Sequence, residues 1–185
     1  MKPGPYRAIF LDRDGTLMAD PGYPSKPEQV EVLDGVKEGL VSLRSAGFKL
    51  VIVTNQSGIG RDFYTEADFW TVNARLEKTL LGEQQFTATY FCPDHPDRAS
   101  DRRKPAPGML LEAAQDLNIN LHDSFMIGDK ESDIAAGLNA GVKAAIWITK
   151  APSARFVDRT DVWVAPDFKA AVRLILPSLE PMNDK

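Results

Sequence analysis

Short, unbroken apolar runs alternate along this chain with apolar residues at helical spacing. Ala8-Ile9-Phe10-Leu11 is wholly apolar and ends at Asp12, which predicts a buried strand with polar chemistry at its C-terminal end. The Pro- and Gly-bearing stretch from Asp20 to Pro27 predicts a loop. Val36, Leu40, Leu43 and Ala46 share one helical face, and Gly47 is the expected stop. Leu50-Val51-Ile52-Val53 predicts a second strand, running out into Thr54-Asn55-Gln56-Ser57-Gly58. Thr65 is the expected cap of a helix carrying Phe69, Val72, Leu76 and Leu80, with Asp68 in the place of a capping-box acid.

The same alternation continues to the end. Thr87 to Phe91 predicts a third strand, Cys92 to Pro105 a polar loop, and Pro107 the first position of a helix through Met109, Leu110, Ala113 and Leu117. Ser124 to Ile127 predicts a fourth strand ending at Gly128-Asp129. Ser132 is then expected to cap a small-residue helix to Ala140, closed by Gly141. Ala144 to Ile148 and Val162 to Val164 are weaker strands, and Asp167 starts a last helix through Ile175. Strands alternating with helices imply an α/β fold, a three-layer Rossmann-like parallel sheet with helices on both faces. No repeat, low-complexity tract or linker divides residues 1–185, so one domain is expected.

Composition changes this picture little but excludes some functions. The 185 residues are 43% hydrophobic and 26% charged, ordinary for a folded globular chain. A net charge of -4 leaves no basic footprint, so nucleic acid is not an expected partner. Any anionic substrate must be drawn by local positive charge. Cys92 is the one cysteine, which precludes an internal disulfide and suits a reducing compartment. Neither Met1 to Arg7 nor any later segment has the apolar length of a signal peptide or a membrane span, so a cytoplasmic location away from membranes is expected. With no long exposed apolar stripe evident, the expected state is a monomer.

The polar residues that close the strands carry the chemistry. Asp12 and Asp14, separated by one residue, can face one small site if the chain turns at Gly15. One can attack phosphorus while the other exchanges a proton with the ester oxygen and then with water. A metal-binding or capping pair explains Asp-x-Asp alone equally well. Thr54-Asn55 could hold phosphate oxygens through a hydroxyl and main-chain N–H groups, or could be a cap and a turn. Gln56 to Arg61 adds flexible backbone and a cation suggestive of an anion site. Arg103-Lys104 supplies paired positive charge ahead of a helix. A phosphate dianion ~4 Å from a carboxylate is repelled by roughly 8 kcal/mol at an effective dielectric of about 20, so a cation must stand beside such a nucleophile. Lys104 can serve as that point charge and Arg103 as a fork of donors to the rest of a substrate, whereas an Arg-Lys pair taken alone is more often a solvated surface feature. Asp12, the main-chain carbonyl of Asp14 and Asp129 form a suitable oxygen set for magnesium. Asp133 could bond a metal-bound water or simply complement the helix dipole.

Each piece is weak alone; their order along the chain is specific. From about Arg7 to about Ile148 the sequence resembles the haloacid dehalogenase superfamily, whose phosphatases use four motifs in this order. Phe10 to Leu17, Val53 to Arg61, Arg103 to Leu110 and Met126 to Lys130 look like the branch holding the heptose-bisphosphate and histidinol-phosphate phosphatases. The resemblance implies Asp12 as nucleophile and Asp14 as general acid/base. Thr54 and Lys104 would stabilise the phosphoryl group, and Asp12, Asp14 and Asp129 would hold Mg2+. Arg103 and Lys130, with Asn55 and Gln56, would meet substrate, and Asp20, Gly22 and Tyr23 fall in the family's first substrate loop. It further implies no large cap domain and a small phosphorylated metabolite as substrate, heptose 1,7-bisphosphate before histidinol phosphate or another sugar phosphate.

In one place the chain departs from the pattern. Many relatives bind a structural zinc before the Lys motif through a Cys-x-His pair and a later Cys-x-Cys pair. Here Cys92-Pro93-Asp94-His95 keeps part of the first pair and Asp101-Arg102-Arg103 has no cysteine, so structural zinc is not expected. A catalytically silent binding module on the same fold is a further alternative, as is a signalling domain that retains its aspartyl phosphate. The presence of Asp12, Asp14, Thr54, Lys104 and Asp129 together argues against the silent module, and Asp14 against the retained phosphate.

Overall fold

A computed structural model describes residues 5–82, 84–156 and 158–177; Met1 to Gly4, part of the stretch read for a leader, lie outside them. The strands are β1 (Ala8–Leu11), β2 (Lys49–Asn55), β3 (Ala88–Cys92), β4 (Phe125–Gly128), β5 (Ala144–Ile148) and β6 (Val162–Ala165). All are parallel and lie in the order β3-β2-β1-β4-β5-β6. The helices are α1 (Val36–Ser45), α2 (Ser57–Gly60), α3 (Glu66–Leu81), α4 (Gly108–Leu117), α5 (Glu131–Ala140) and α6 (Phe168–Ile175).

Strand alternation divides the core in two. Ile9, Leu11, Leu50, Ile52, Phe125 and Ile127 face one side and pack with Leu40 and Leu43 of α1, Val72 and Leu76 of α3, and Phe168 and Val172 of α6. Ala8, Phe10, Val51, Val53, Met126 and Ala145 face the other and pack with Met109 and Leu110 of α4 and Ile134 and Ala136 of α5. Because both faces are covered, the strands read as continuous apolar runs rather than alternating ones. The result is the expected three-layer α/β architecture, and no large cap is inserted among the described residues.

Strand order reverses at β1, whose neighbours are β2 and β4. A crevice outside the C-terminal ends of strands at such a reversal is where open α/β sheets bind ligands. Asp12 follows β1 and Asp129 follows β4, and the Asp12 N–H donates to Ile127 O at 3.0 Å, locking the two strand ends together.

Three local details differ from the sequence expectations. The turn after β2 is helical rather than irregular: Ser57–Gly60 forms α2. Pro107 sits one residue outside α4, as its N-cap. Ser132 does not cap α5; Lys130 is the N-cap, and its N–H is satisfied by the Asp133 carboxylate at 3.0 Å. An acid three residues into the helix reaches back to that amide, so no serine is needed there.

Candidate active site

Gly15 makes the site possible. Its φ of +89° belongs to the left-handed region, and a Cβ there would lie 2.3 Å from the Asp129 carboxylate. Glycine therefore lets the loop after β1 turn back against the loop after β4, with Thr16 Oγ1 donating to Asp129 Oδ1 at 3.4 Å. Trp147 supports the same residue from β5, its indole N–H donating to Asp129 O at 2.9 Å.

Lys104 lies at the centre of an ionic cluster. Its ammonium is 2.7 Å from Asp12 Oδ1, 2.6 Å from Asp133 Oδ1 and 2.8 Å from Val53 O, so all three donors are used. Asn55 holds the main chain of Lys104 through a reciprocal pair: its amide donates to Lys104 O and accepts from the Lys104 N–H. Burial works against the lysine's charge, but Asp12 and Asp133 outweigh it and lift its pKa above the ordinary value. Oxygens of Asp12, Asp129 and Asp133 lie within 4.8 Å of one another. Three carboxylates thus crowd together, with Lys104 bonded to two of them and Lys130 acting on Asp129. Burial, reinforced by Asp12 and Asp133, pushes Asp129 up to about 7, and Asp133 is raised for the same first cause. Such a cluster favours a cation. Both Asp133 oxygens are taken by Lys104 and the Lys130 N–H, which leaves Asp12 and Asp129 as the carboxylates open to it.

Asp14 is held differently. The Arg13 guanidinium donates to both its oxygens at 3.0 Å, and Gln56 Nε2 donates to Oδ2 at 2.8 Å. Gln56 Nε2 also donates to Thr54 Oγ1 at 2.8 Å, while its Oε1 accepts from Tyr64 O–H at 2.6 Å and from Arg13 at 3.1 Å. Arg13 is fully buried with its guanidinium over the Phe69 ring at 5.0 Å, and its Nη1 has no hydrogen-bond partner. Burial raises the Asp14 pKa, with Arg13 opposing and Asp12 adding to the rise.

Above these groups opens a cleft of about 420 Å3 lined by Asp14, Asp20, Tyr23, Gln56, Arg103 and Lys130, among others. At its mouth Lys130 Nζ pairs with Asp20 Oδ2 at 3.0 Å, and Asp20 Oδ1 accepts from the Gly22 N–H. Tyr23, 44% exposed, meets Phe63 edge-on at 4.8 Å between ring centres. Arg103 is anchored by an N–H donated to Asp94 O. The loop between β3 and α4 is tied by its own groups: Asp94 accepts from the Ser100 N–H at 2.7 Å and His95 Nδ1 from the Asp97 N–H at 3.2 Å. A larger groove of about 520 Å3 between α1 and α6 is lined by Asp34, Glu38, Asp167, Lys169 and Arg173, and contains none of the groups gathered around Lys104 and Asp14.

The structure thus brings Asp12, Asp14, Thr54, Asn55, Gln56, Lys104 and Asp129 together, with Asp20, Gly22, Tyr23, Arg103 and Lys130 around the opening. Sequence reasoning left Arg13 and Tyr64 out of the site and gave Asp133 no contact with Lys104.

Comparison with known proteins agrees with this geometry. The family model HAD-hyrolase-like matches residues 101–171. The D-glycero-beta-D-manno-heptose-1,7-bisphosphate 7-phosphatase of Helicobacter pylori is 42% identical over 172 residues, covering 91% of this chain and 97% of that one. The chain belongs to the haloacid dehalogenase-like hydrolases, among the heptose-bisphosphate phosphatases. A Burkholderia mallei relative, 40% identical over 80% of this chain and 83% of its own, is named for the alpha rather than the beta anomer. In three dimensions the enzyme matches the D,D-heptose 1,7-bisphosphate phosphatase of B. bronchiseptica, solved with magnesium and phosphate. The TM-score is 0.80 at 25% identity, over 93% of this chain and 99% of that one.

Proposed function

We propose that this enzyme hydrolyses the 7-phosphate of a D-glycero-D-manno-heptose 1,7-bisphosphate through an aspartyl-phosphate on Asp12. The observation that carries the reading is the position of the Asp12 carboxylate, 2.7 Å from the Lys104 ammonium and beside Asp14, at the floor of an open cleft bordered by Arg103 and Lys130. In the first step an Asp12 oxygen bonds to phosphorus as the sugar oxygen leaves, taking a proton from Asp14. In the second, Asp14 removes a proton from water, whose oxygen attacks the same phosphorus, releasing phosphate and restoring Asp12. Lys104 offsets the charge gathered on the phosphoryl oxygens. Thr54, whose hydroxyl oxygen accepts from Gln56, has its proton to offer the same group.

Mg2+ suits the donor set, since hard cations take carboxylate and carbonyl oxygens and the cluster carries excess negative charge. Asp12, Asp129 and the Asp14 main-chain carbonyl would hold it, and it would supply neutralisation of phosphate charge. Arg103 and Lys130 would meet the remainder of the substrate, beside Asp20, Gly22 and Tyr23. The enzyme would act as a cytoplasmic monomer of one domain, on a free metabolite rather than on nucleic acid or a membrane. No helix among the described residues is long and apolar enough to cross a membrane.

Phosphate release with Mg2+ from both heptose 1,7-bisphosphate anomers, fructose 1,6-bisphosphate, histidinol phosphate and hexose monophosphates tests this reading. The expected result is a kcat/KM on one heptose anomer at least about tenfold above every other compound, a gap of ~1.4 kcal/mol in transition-state stabilisation. Preference for histidinol phosphate would overturn the substrate and keep the chemistry, while no turnover at all would overturn both.

A further inference from the structure

Gln56 to Tyr64 closes a small loop whose two ends touch. Gln56 leads into α2, Asp62 takes a left-handed φ of 58°, and the Phe63 N–H returns to Gly58 O at 2.9 Å. The Tyr64 ring then lies directly on Gly58, where a Cβ would come within 2.1 Å of Cε1. That packing delivers the Tyr64 hydroxyl to Gln56 Oε1 at 2.6 Å, with the residue only 7% exposed. Burial raises the Tyr64 pKa to about 12, so the hydroxyl keeps the proton it donates.

The consequence for Gln56 is a single orientation. Its oxygen accepts from Tyr64 and Arg13 while its nitrogen donates to Asp14 and Thr54, and turning the amide over would set donor against donor and acceptor against acceptor. We propose that Tyr64 and Gln56 are positioning residues that aim the Asp14 carboxylate at the oxygen it must protonate. The pair joins the acid/base to the phosphoryl-binding Thr54 through one amide. Neither residue needs to touch the leaving group. This inference rests on the phosphatase reading and on the role given there to Asp14.

The test exploits leaving-group chemistry. An alkoxide leaves with a proton from a positioned acid, whereas p-nitrophenolate leaves without one, and kcat/KM reports only the steps through phosphoenzyme formation. Tyr64→Phe removes the hydroxyl and keeps the ring. Its kcat/KM on the best sugar phosphate of the panel is expected to fall about tenfold, on p-nitrophenyl phosphate by less than about twofold, with KM for the sugar phosphate little changed. Gln56→Met, close in shape and without an amide to donate, should lose at least as much on the sugar phosphate and more than Tyr64→Phe on p-nitrophenyl phosphate, because it also frees the Thr54 hydroxyl. Adding Tyr64→Phe to Gln56→Met should cost nothing further, because Tyr64 acts through the amide.

Equal losses on both substrates in Tyr64→Phe would overturn the proposal in favour of general structural damage. So would a double variant whose defects multiply. An unimpaired Tyr64→Phe enzyme beside an active wild type would remove the proposal and leave the phosphatase reading standing, whereas a wild type inactive on every phosphomonoester would remove both.

Discussion

Asp12 and Asp14 stand two residues apart on one loop, yet their surroundings follow different electrostatic rules. Asp12 belongs to an ionic cluster of three carboxylates, in which buried Lys104 pairs with Asp12 and Asp133 and Lys130 acts on Asp129 from the cleft. Asp14 belongs to a hydrogen-bonded network in which one carboxylate meets one buried arginine and the rest is neutral: an amide, a hydroxyl and a phenol. The first region is over-charged and suited to taking up a cation, and the second is balanced and suited to holding a direction. A nucleophile facing a phosphate dianion needs its repulsion cancelled. A proton carrier needs its lone pair aimed.

If the two carboxylates have these separate tasks, neutralising each should fail in its own way. Asp12→Asn leaves no nucleophile, and turnover of every substrate should fall by about 10^4-fold or more, whatever the leaving group. Phosphate release from a sugar phosphate and from p-nitrophenyl phosphate, measured side by side, checks this. More than a few per cent residual activity would remove Asp12 from the role. Asp14→Asn should instead spare p-nitrophenyl phosphate in phosphoenzyme formation and trap the intermediate at its hydrolysis, visible as a burst of p-nitrophenol.

Lys104→Met should rank next, because it withdraws the buried lysine bonded to both Asp12 and Asp133. Loss of one such stabilising donor costs about 10^2–10^3 in kcat. Stripping the partner from buried charges also destabilises a fold, by about 3–5 kcal/mol where they cannot be neutralised otherwise. Chemical denaturation of wild type and variant without metal reads that second effect. Arg13→Met should affect the other region less in kcat, since Gln56 still holds Asp14.

How much of this contrast was legible beforehand follows from where the partners lie. The buried strands announced themselves because parallel strands covered on both faces are unbroken apolar runs, and the residues closing them fell at the ligand-binding edge. Thr65 and Asp68 were readable because a capping box is local: the two residues bond each other. Asp133 was not readable in full. At a helix start it looks like a dipole acid, and only the packing of α5 beside the loop after β3 sets it against Lys104. Arg13 was hidden as the spacer of Asp-x-Asp, since nothing in that pattern says the side chain is buried. Tyr64 was hidden because the glycines of Ser57–Gly60 read as freedom, whereas Gly58 provides a seat for its ring. Tertiary contacts carried each of these, and none left a periodic trace.

The excess charge around Asp129 sharpens the comparison through pH. Its pKa is lifted from 3.8 to about 7, first by burial and then by Asp12 and Asp133, so the folded protein holds a proton the unfolded chain has lost. Between about pH 4 and pH 7 the native state binds more protons, and the stability of metal-free enzyme should fall as pH rises. Mg2+ should reverse this where Asp129 is ionised. At pH 7.5 a concentration near 100 times Kd adds about 2.7 kcal/mol, or roughly 5–10 °C in Tm. The gain should shrink toward pH 5, where the cation has to displace a proton. A gain independent of pH would place the cation elsewhere than Asp129.

The smallest effects belong at the mouth, where Lys130 and Asp20 form a half-exposed pair at 3.0 Å. Exposed pairs of this kind contribute about 0–1 kcal/mol, so neither Lys130→Met nor Asp20→Asn should move Tm by more than a few degrees. Their effects on substrate should have opposite signs. Lys130 lines both the floor and the opening of the cleft, and removing its charge should raise KM about threefold to tenfold with kcat nearly unchanged. Asp20→Asn keeps the acceptor for the Gly22 N–H but removes a negative charge that repels phosphate and competes for the ammonium. KM should then fall by about twofold, and by less at high salt, as screening weakens both interactions. Should KM instead rise in Asp20→Asn as it does in Lys130→Met, the carboxylate must bond the substrate itself, and the mouth would be a direct recognition surface rather than an electrostatic one.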